Sequence, residues 1–348
     1  MFDHLMGNER VKQILERMLE SHRLPGALLF SGEEGVGKKL FALEVAKALN
    51  CPTPRGLEGC GKCSSCQRIG RINYPQSDDS DEWKSMIWTD HADVAMVVAP
   101  KRVLLVDQMR QIEREANFRP YEGKARIFLV DDADKLNEPA ANALLKILEE
   151  PPPTSHLILI TSQPAMLLPT IRSRCQSVRF SPIGAPEIEE YLIRNKLASA
   201  SDARLRARIA RGSIGRAREG DTRTLIQQRM AMLEVVEALA LRGDRLQLLR
   251  SAEELNEARY KDEYEARLDI LETLIRDALA LSLGAPEAHI VNADLLTQLS
   301  AIGGKINSAQ AGAWISQIEE LREQLVVNIN RKVATDALFM SMASAEAI

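Results

Sequence analysis

Residues 26–50, GALLFSGEEGVGKKLFALEVAKALN, join a short apolar run to a helical pattern through a glycine-rich turn. A G-x-x-x-x-G-K loop between strand and helix leaves a chain few folds. The backbone N–H groups of the turn and of the helix N-terminus converge into an anion cradle, and the helix packs back over a parallel sheet. Gly32, Gly35 and Gly37 let the backbone turn, and Lys38 can reach terminal phosphates. The next position should be Ser or Thr, whose hydroxyl holds magnesium, but here it is Lys39. One ligand of a six-coordinate magnesium is missing and a second ammonium stands beside the site, which predicts weak or absent hydrolysis with ATP or ADP still able to bind.

The flanking pattern extends this start. Val11, Ile14, Leu15, Met18 and Leu19 share one face of a helix over 9–22, with Asn8 as its N-cap. ADVAMVVAP, ARIFLVDDAD, HLILIT and SVRF read as further strands, with helices near 107–117 and 139–150, the second stopped by Pro151-Pro152-Pro153. Strands alternating with helices predict an α/β parallel sheet covered on both faces. The polar, acidic stretch 72–90 reads as an exposed, mobile insertion. Beyond about residue 183 only helical periodicity continues, with a small unit over 183–220 and helices near 222–242, 245–284, 292–302, 308–329 and 332–346. Sustained heptads are absent, so these are packed helices and not a coiled coil.

Three further groups carry chemistry. IFLVDDAD ends an apolar strand in Asp131 and Asp132; in phosphate-loop ATPases the first acid helps hold magnesium and the second, usually Glu, positions the attacking water. Asp132 is one methylene short of that reach, and a helix-capping acid pair is the alternative. Cys51, Cys60, Cys63 and Cys66 follow a C-x8-C-x2-C-x2-C spacing, which suits a structural four-thiolate zinc site; an iron-sulfur cluster or unligated thiols are the other options. LLPTIRSRCQ places Arg172 and Arg174 around Ser173, either as a solvated basic turn or as an arginine offered in trans to a neighbour's nucleotide. Cys175 stands apart and reads as a packed residue.

The 348 residues suggest two or three domains, and the absence of a long apolar run argues against a membrane span or a signal peptide, which points to the cytoplasm. A net charge of -4 argues against an autonomous nucleic-acid binder.

Taken in order, the Phe2–Asn8 stretch FDHLMGN, the phosphate loop, the four cysteines, VDDADKLNEPAANALLKILEEPP and LLPTIRSRC resemble the bacterial clamp-loader subunits of the AAA+ class, in particular the delta prime family of DNA polymerase III. The likeness is dense over 1–220 and only architectural beyond. It implies an AAA+ P-loop domain over 1–182 with a zinc module at about 51–66, a helical lid over 183–220 and a helical collar over 221–348. It also implies Lys38 as the phosphate-loop lysine, Asp131 as the acid-strand residue, Thr161 as a sensor of the terminal phosphate and Arg174 as an arginine finger. Implied partners are delta and gamma/tau subunits in a heteropentamer that loads a sliding clamp onto primed DNA. Active members resemble Gly-Ser-x-Arg at a second sensor, whereas this chain has Gly212-Ser213-Ile214-Gly215 with Arg216 one position late, about 100° around a helix. Lys39, Asp132 and Gly215 thus each weaken a different part of hydrolysis. A gamma/tau-type motor ATPase and a zinc-stabilised nucleic-acid adaptor are the competing classes.

Overall fold

The computed structural model describes the chain except for residues 1, 3, 22, 77–80, 101–102, 220–221, 258–259, 261–262, 327–328 and 345–348. Asp3 of the FDHLMGN stretch, the middle of the expected insertion and the outermost residues of several expected helices lie outside the described residues. The chain divides into two compact units, Met1–Arg218 and Glu219–Ile348.

The first unit is built on a six-stranded sheet. Its strands are β1 (Ala27–Ser31), β2 (Ile87–Trp88), β3 (Val94–Val97), β4 (Arg126–Val130), β5 (Ser155–Thr161) and β6 (Gln176–Arg179), in the spatial order β2-β3-β4-β5-β1-β6. All pairings are parallel except β2 with β3. Strands buried on both faces read as continuous apolar runs, and alternation decides which helix each residue meets. Phe30, Ile127, Leu129 and Ile158 share a core with α1 (Glu9–Glu20) and α2 (Lys38–Asn50). Leu29, Phe128, Val130 and Leu159 share another with α4 (Val106–Ala116) and α5 (Glu138–Glu149). The cysteine segment carries α3 (Ser64–Ile69), and α6 (Pro169–Arg172) precedes β6. Helices α7 (Ala185–Arg194), α8 (Ala200–Ile209) and α9 (Ile214–Glu219) gather a small core of their own around Ile188, Leu192, Ala203 and Ala207.

Two sequence expectations change here. The stretch 72–90 is not simply an exposed insertion: Met86 and Ile87 are buried, β2 pairs antiparallel with β3, and the Trp83 carbonyl accepts a 2.8 Å hydrogen bond from Gln108 Nε2. Its apolar residues were outvoted by the acids around them in a composition-based reading. Asn8 precedes α1 but does not cap it with its side chain. The amide instead brackets Ser181, accepting from its N–H at 2.7 Å and donating to its carbonyl at 3.2 Å, so it ties the N-terminal segment to the end of β6.

The second unit is helical: α10 (Thr222–Glu237), α11 (Arg245–Leu255), α12 (Tyr264–Ser282), α13 (Leu296–Gly303), α14 (Ser308–Val326) and α15 (Arg331–Ser344). The helix expected over 245–284 is two helices, α11 and α12. They serve different partners, α11 lying on α15 and α12 on α10, α13 and α14, so one straight rod could not satisfy both. Among the described residues no helix is long and apolar enough to cross a membrane.

One buried charge cluster fixes the start of β4. The Asp93 carboxylate accepts the backbone N–H groups of Tyr121, Glu122 and Gly123 at 2.7, 3.0 and 2.7 Å and lies 3.8 Å from Arg126 Nε. Arg126 is itself fully buried, boxed by the rings of Trp88, Tyr121 and Phe128 and paired with Glu115 at 3.0 Å. Removing one partner strands the other, so Asp93→Ala is expected to destabilise the protein by roughly 3–5 kcal/mol, read as a lowered urea midpoint.

Candidate functional site

The phosphate loop leaves the C-terminal end of β1, Asp131 follows the C-terminal end of β4, and Thr161 ends β5, which lies between those two strands. Sheet order alone therefore brings loop, acid and hydroxyl to one edge. Gly35 and Gly37 take left-handed φ of 74° and 99°, and Gly37 opens α2.

Within this site each ionic group already has a partner. Lys38 Nζ turns back into its own loop and donates to the carbonyls of Gly32 at 2.6 Å and Glu33 at 2.7 Å. Burial pulls its pKa below the ordinary lysine value, against the opposing pull of Asp131, Glu34, Asp132 and Asp134. Lys39 Nζ lies 2.5 Å from Asp131 Oδ2. Burial alone would favour the neutral amine at Lys39, but Asp131 and Tyr74 outweigh it and raise its pKa above the ordinary value. The Tyr74 hydroxyl is 3.5 Å from the same nitrogen. Thr161, fully buried, donates a short hydrogen bond to Asp134 and accepts the Gln163 N–H at 3.0 Å. Asp132 stands apart from this group: it takes a left-handed φ of 49°, and its carboxylate pairs with Lys135 at 2.8 Å while nearly half exposed. The residues present do not fit a hydrated magnesium ion, because the acid that would hold it carries an ammonium and the position that would supply a hydroxyl supplies that ammonium.

Arg174 occupies the opposite edge of the sheet. It precedes Gln176, which is in register with Leu28 near the start of β1, whereas the phosphate loop leaves the far end of that strand. At about 3.3 Å per residue the two are on the order of 10 Å apart or more along the strand direction. One guanidinium nitrogen is 2.7 Å from Glu149 Oε1 and another donates to the Thr170 carbonyl at 3.1 Å, with about a third of the side chain exposed. Cys175 beside it is packed into the α4–α5 core, and burial pushes its thiol up to about 12.

The sulfur atoms of Cys51, Cys60, Cys63 and Cys66 all lie within 4.8 Å of one another. Cys51 and Cys63 are 3.8 Å apart, the edge of a tetrahedron whose metal–sulfur bonds are about 2.3 Å. Backbone N–H groups of Cys60, Cys63 and Cys66 point at the preceding sulfurs at 3.3, 3.2 and 3.4 Å, as in a loop wrapped around thiolates. The N–H groups of Lys62 and Cys63 hold the Cys60 thiol down at about 5, while burial pushes Cys66 up to about 12. This donor set fits a metal ion.

Comparison with known proteins decides the family. The profile of the family described as DNA polymerase III, delta subunit matches residues 7–184, and the profile of its C-terminal part matches residues 224–339. The delta' subunit of Bacillus subtilis is 28% identical over 321 residues, covering 92% of each chain. That of Escherichia coli is 31% identical over 322 residues, covering 90% of this chain and 87% of the relative. The chain belongs to the delta prime family of DNA polymerase III. The Escherichia coli tau subunit is also similar, at 32% identity over 218 residues, but this covers only 61% of this chain and 31% of tau.

Several residues of this delta-prime-family site escaped sequence reasoning. Asp134, the third acid of DDAD, was legible as an acid but not as the partner of Thr161. Tyr74, an aromatic in a polar stretch, was the available signal that 72–90 reaches the site. Glu149, the partner of Arg174, and the 3.0 Å hydrogen bond that the Gly215 N–H donates to the Gly35 carbonyl gave no signal in the sequence. The cysteine segment is tied to the body by Arg68 on α3, whose two terminal nitrogens meet the Glu122 carboxylate at 2.8 and 2.5 Å. That hydrogen bond, chiefly, holds the Glu122 carboxyl down at about 2. Its folded pKa lies below its unfolded value near 4.5, so the pair stabilises above that pH and the contribution is lost as pH falls toward 2. Glu122→Gln should cost about 1 kcal/mol at neutral pH, solvent screening included, and the gap to the parent protein should close in denaturation curves taken from pH 5 down to about pH 2.

Proposed function

We propose that this chain is a delta-prime-type clamp-loader subunit that assists ATP-dependent loading of a sliding clamp onto primed DNA while turning over little or no ATP itself. The observation that carries the second half is the Lys39–Asp131 ion pair at 2.5 Å, which fills with an ammonium the place where a motor subunit coordinates magnesium. Asp132, turned to Lys135, supplies no base to a water at that place. Residues 1–182, 183–220 and 221–348 are then the P-loop domain, the lid and the collar. The separate core of the small helices supports the middle division.

Arg174 is proposed as an arginine finger for a nucleotide on a neighbouring subunit. Its position on the sheet edge away from the chain's own loop supports that role over one in cis, and its surface pair with Glu149 is weak enough to yield to a phosphate. Gamma/tau subunits would hold that nucleotide and delta would flank the other side of a cytoplasmic heteropentamer. The four cysteines are proposed to bind zinc, which would cross-link a segment too short to form a core and leave no open position for catalysis. The gamma/tau-type reading is disfavoured because likeness to tau covers 61% of this chain and 31% of tau, whereas likeness to delta' covers 90% of this chain and 87% of the relative.

The isolated chain is expected to show no magnesium-dependent ATP turnover above background in a phosphate-release assay, and robust turnover would overturn the reading. In the reconstituted complex, Arg174→Ala should slow single-turnover hydrolysis at the site it serves by roughly a thousandfold. Unchanged kinetics would remove the finger. Cys63→Ser should lower metal content from about one zinc per chain and reduce thermal stability. Iron in elemental analysis, with absorption in the visible, would point to a cluster instead.

A further inference from the structure

Strand β6 is the outer strand of the sheet beside β1, and its free side is only partly covered. Successive residues of a paired strand turn their backbone groups alternately toward and away from the neighbour. The Phe180 N–H donates to the Ser31 carbonyl at 2.7 Å, so Gln176, Val178 and Phe180 face β1, and Ser177, Arg179 and Ser181 turn their N–H and carbonyl groups outward. At Ser181 that outward pair is satisfied by Asn8, whose amide accepts at 2.7 Å and donates at 3.2 Å as the peptide group of a neighbouring strand would. The cover stops there. Among the described residues nothing hydrogen-bonds the outward groups of Ser177 and Arg179. Both residues line an open groove of about 560 Å³ between β6, the start of α1 and the linker to α7. Its apolar part includes Val11, Ile14 and Ile183, and its cations are Arg10 and Arg179, both exposed and, among the described residues, without an acidic partner. Of its two acids, Glu9 is taken up by Lys12 at 2.6 Å, which leaves Glu187 against two arginines.

We propose that the outer edge of β6 docks an extended acidic segment of a partner protein, which joins the sheet as a further strand. In docking of this kind the main-chain hydrogen bonds supply affinity and alternate side chains supply specificity. Ser177 and Arg179 offer their N–H and carbonyl groups along one line, and the Asn8 amide sets where that line ends. A short edge strand carrying a charge is also a common way to discourage strand pairing. Here the charges discriminate. An apolar strand would leave the arginines desolvated and unpaired, and a second copy of the same edge would face them with like charge, whereas carboxylates on an added strand pair with them. The groove shares no residue with the phosphate loop and does not include Arg174, so the site stands without the clamp-loader reading.

A displayed library of random linear peptides panned against the full-length chain tests this, with the best binder remade as a fluorescein-labelled peptide and titrated by fluorescence anisotropy. Selected peptides should carry Asp or Glu at alternate positions, and the labelled peptide should slow hydrogen exchange in the segment 175–182 about tenfold while α12 stays unchanged. Arg179→Glu should weaken binding about tenfold. Ser177→Pro removes one outward N–H and leaves the pairing with β1 in place, and it should weaken binding roughly fivefold to tenfold. Should either variant melt below the parent chain, N-methylation of alternate peptide nitrogens decides on the unaltered protein: binding is lost with the methyl groups in one alternation and kept in the other. Selection of no peptide, or only of basic or apolar ones, overturns the proposal. So does acidic-peptide binding indifferent to N-methylation, which is charge attraction alone, and so does sedimentation showing that the chain pairs with itself through this edge.

Discussion

An ammonium and a carboxylate 2.5 Å apart set the character of the sheet's C-terminal edge. Once Lys39 neutralises Asp131, the acid strand no longer presents a free negative charge for a dication. Lys38 is satisfied by two carbonyls of its own loop, and Thr161 is satisfied by Asp134. Buried donors and acceptors must find partners, and in this site they find them inside the chain. The phosphate loop keeps its backbone shape because that shape is fixed by β1, α2 and the glycines, none of which depends on catalysis.

The sheet then separates two kinds of chemistry by its length. Parallel strands place every strand-to-loop exit of one sense on one edge, so the phosphate loop, Asp131 and Thr161 collect there whatever their later use. Arg174 enters from the other edge. The end of α2 also lies near that second edge, as the Asn50 amide shows by bonding Lys124 and Ala125 at the start of β4, and Cys51 follows at once. In the proposed reading the chain's own nucleotide site is quiet while its opposite edge offers groups to others.

Much of this was legible in the residues because burial on both faces leaves a simple signature. Four of the parallel strands, β1, β3, β4 and β5, are near-continuous apolar runs, and the ends of β1, β4 and β5 carry the loop, the acids and the hydroxyl at readable positions. The cysteine spacing was legible for a similar reason, since short-range geometry alone brings its sulfurs together. What was not legible depends on pairing across the fold. That Lys39 would reach Asp131, 92 positions away in the sequence, follows from sheet order. That Ile87 and Trp88 would pair at the sheet edge needed β3 as a template, and that α11 would end before α12 needed α15 to hold it. Asn8 looked like a cap because caps are local, yet its amide found a longer-range partner in Ser181.

The internal cation is tested most directly by electron paramagnetic resonance of manganese with ATP added to the isolated chain, compared with Lys39→Thr. If Lys39 occupies the metal's place, the parent chain should leave the manganese spectrum that of free Mn-ATP, and the threonine variant should broaden it as Asp131 and the new hydroxyl become ligands. Equal broadening in both proteins would contradict the ion pair as the feature that sets the site's chemistry.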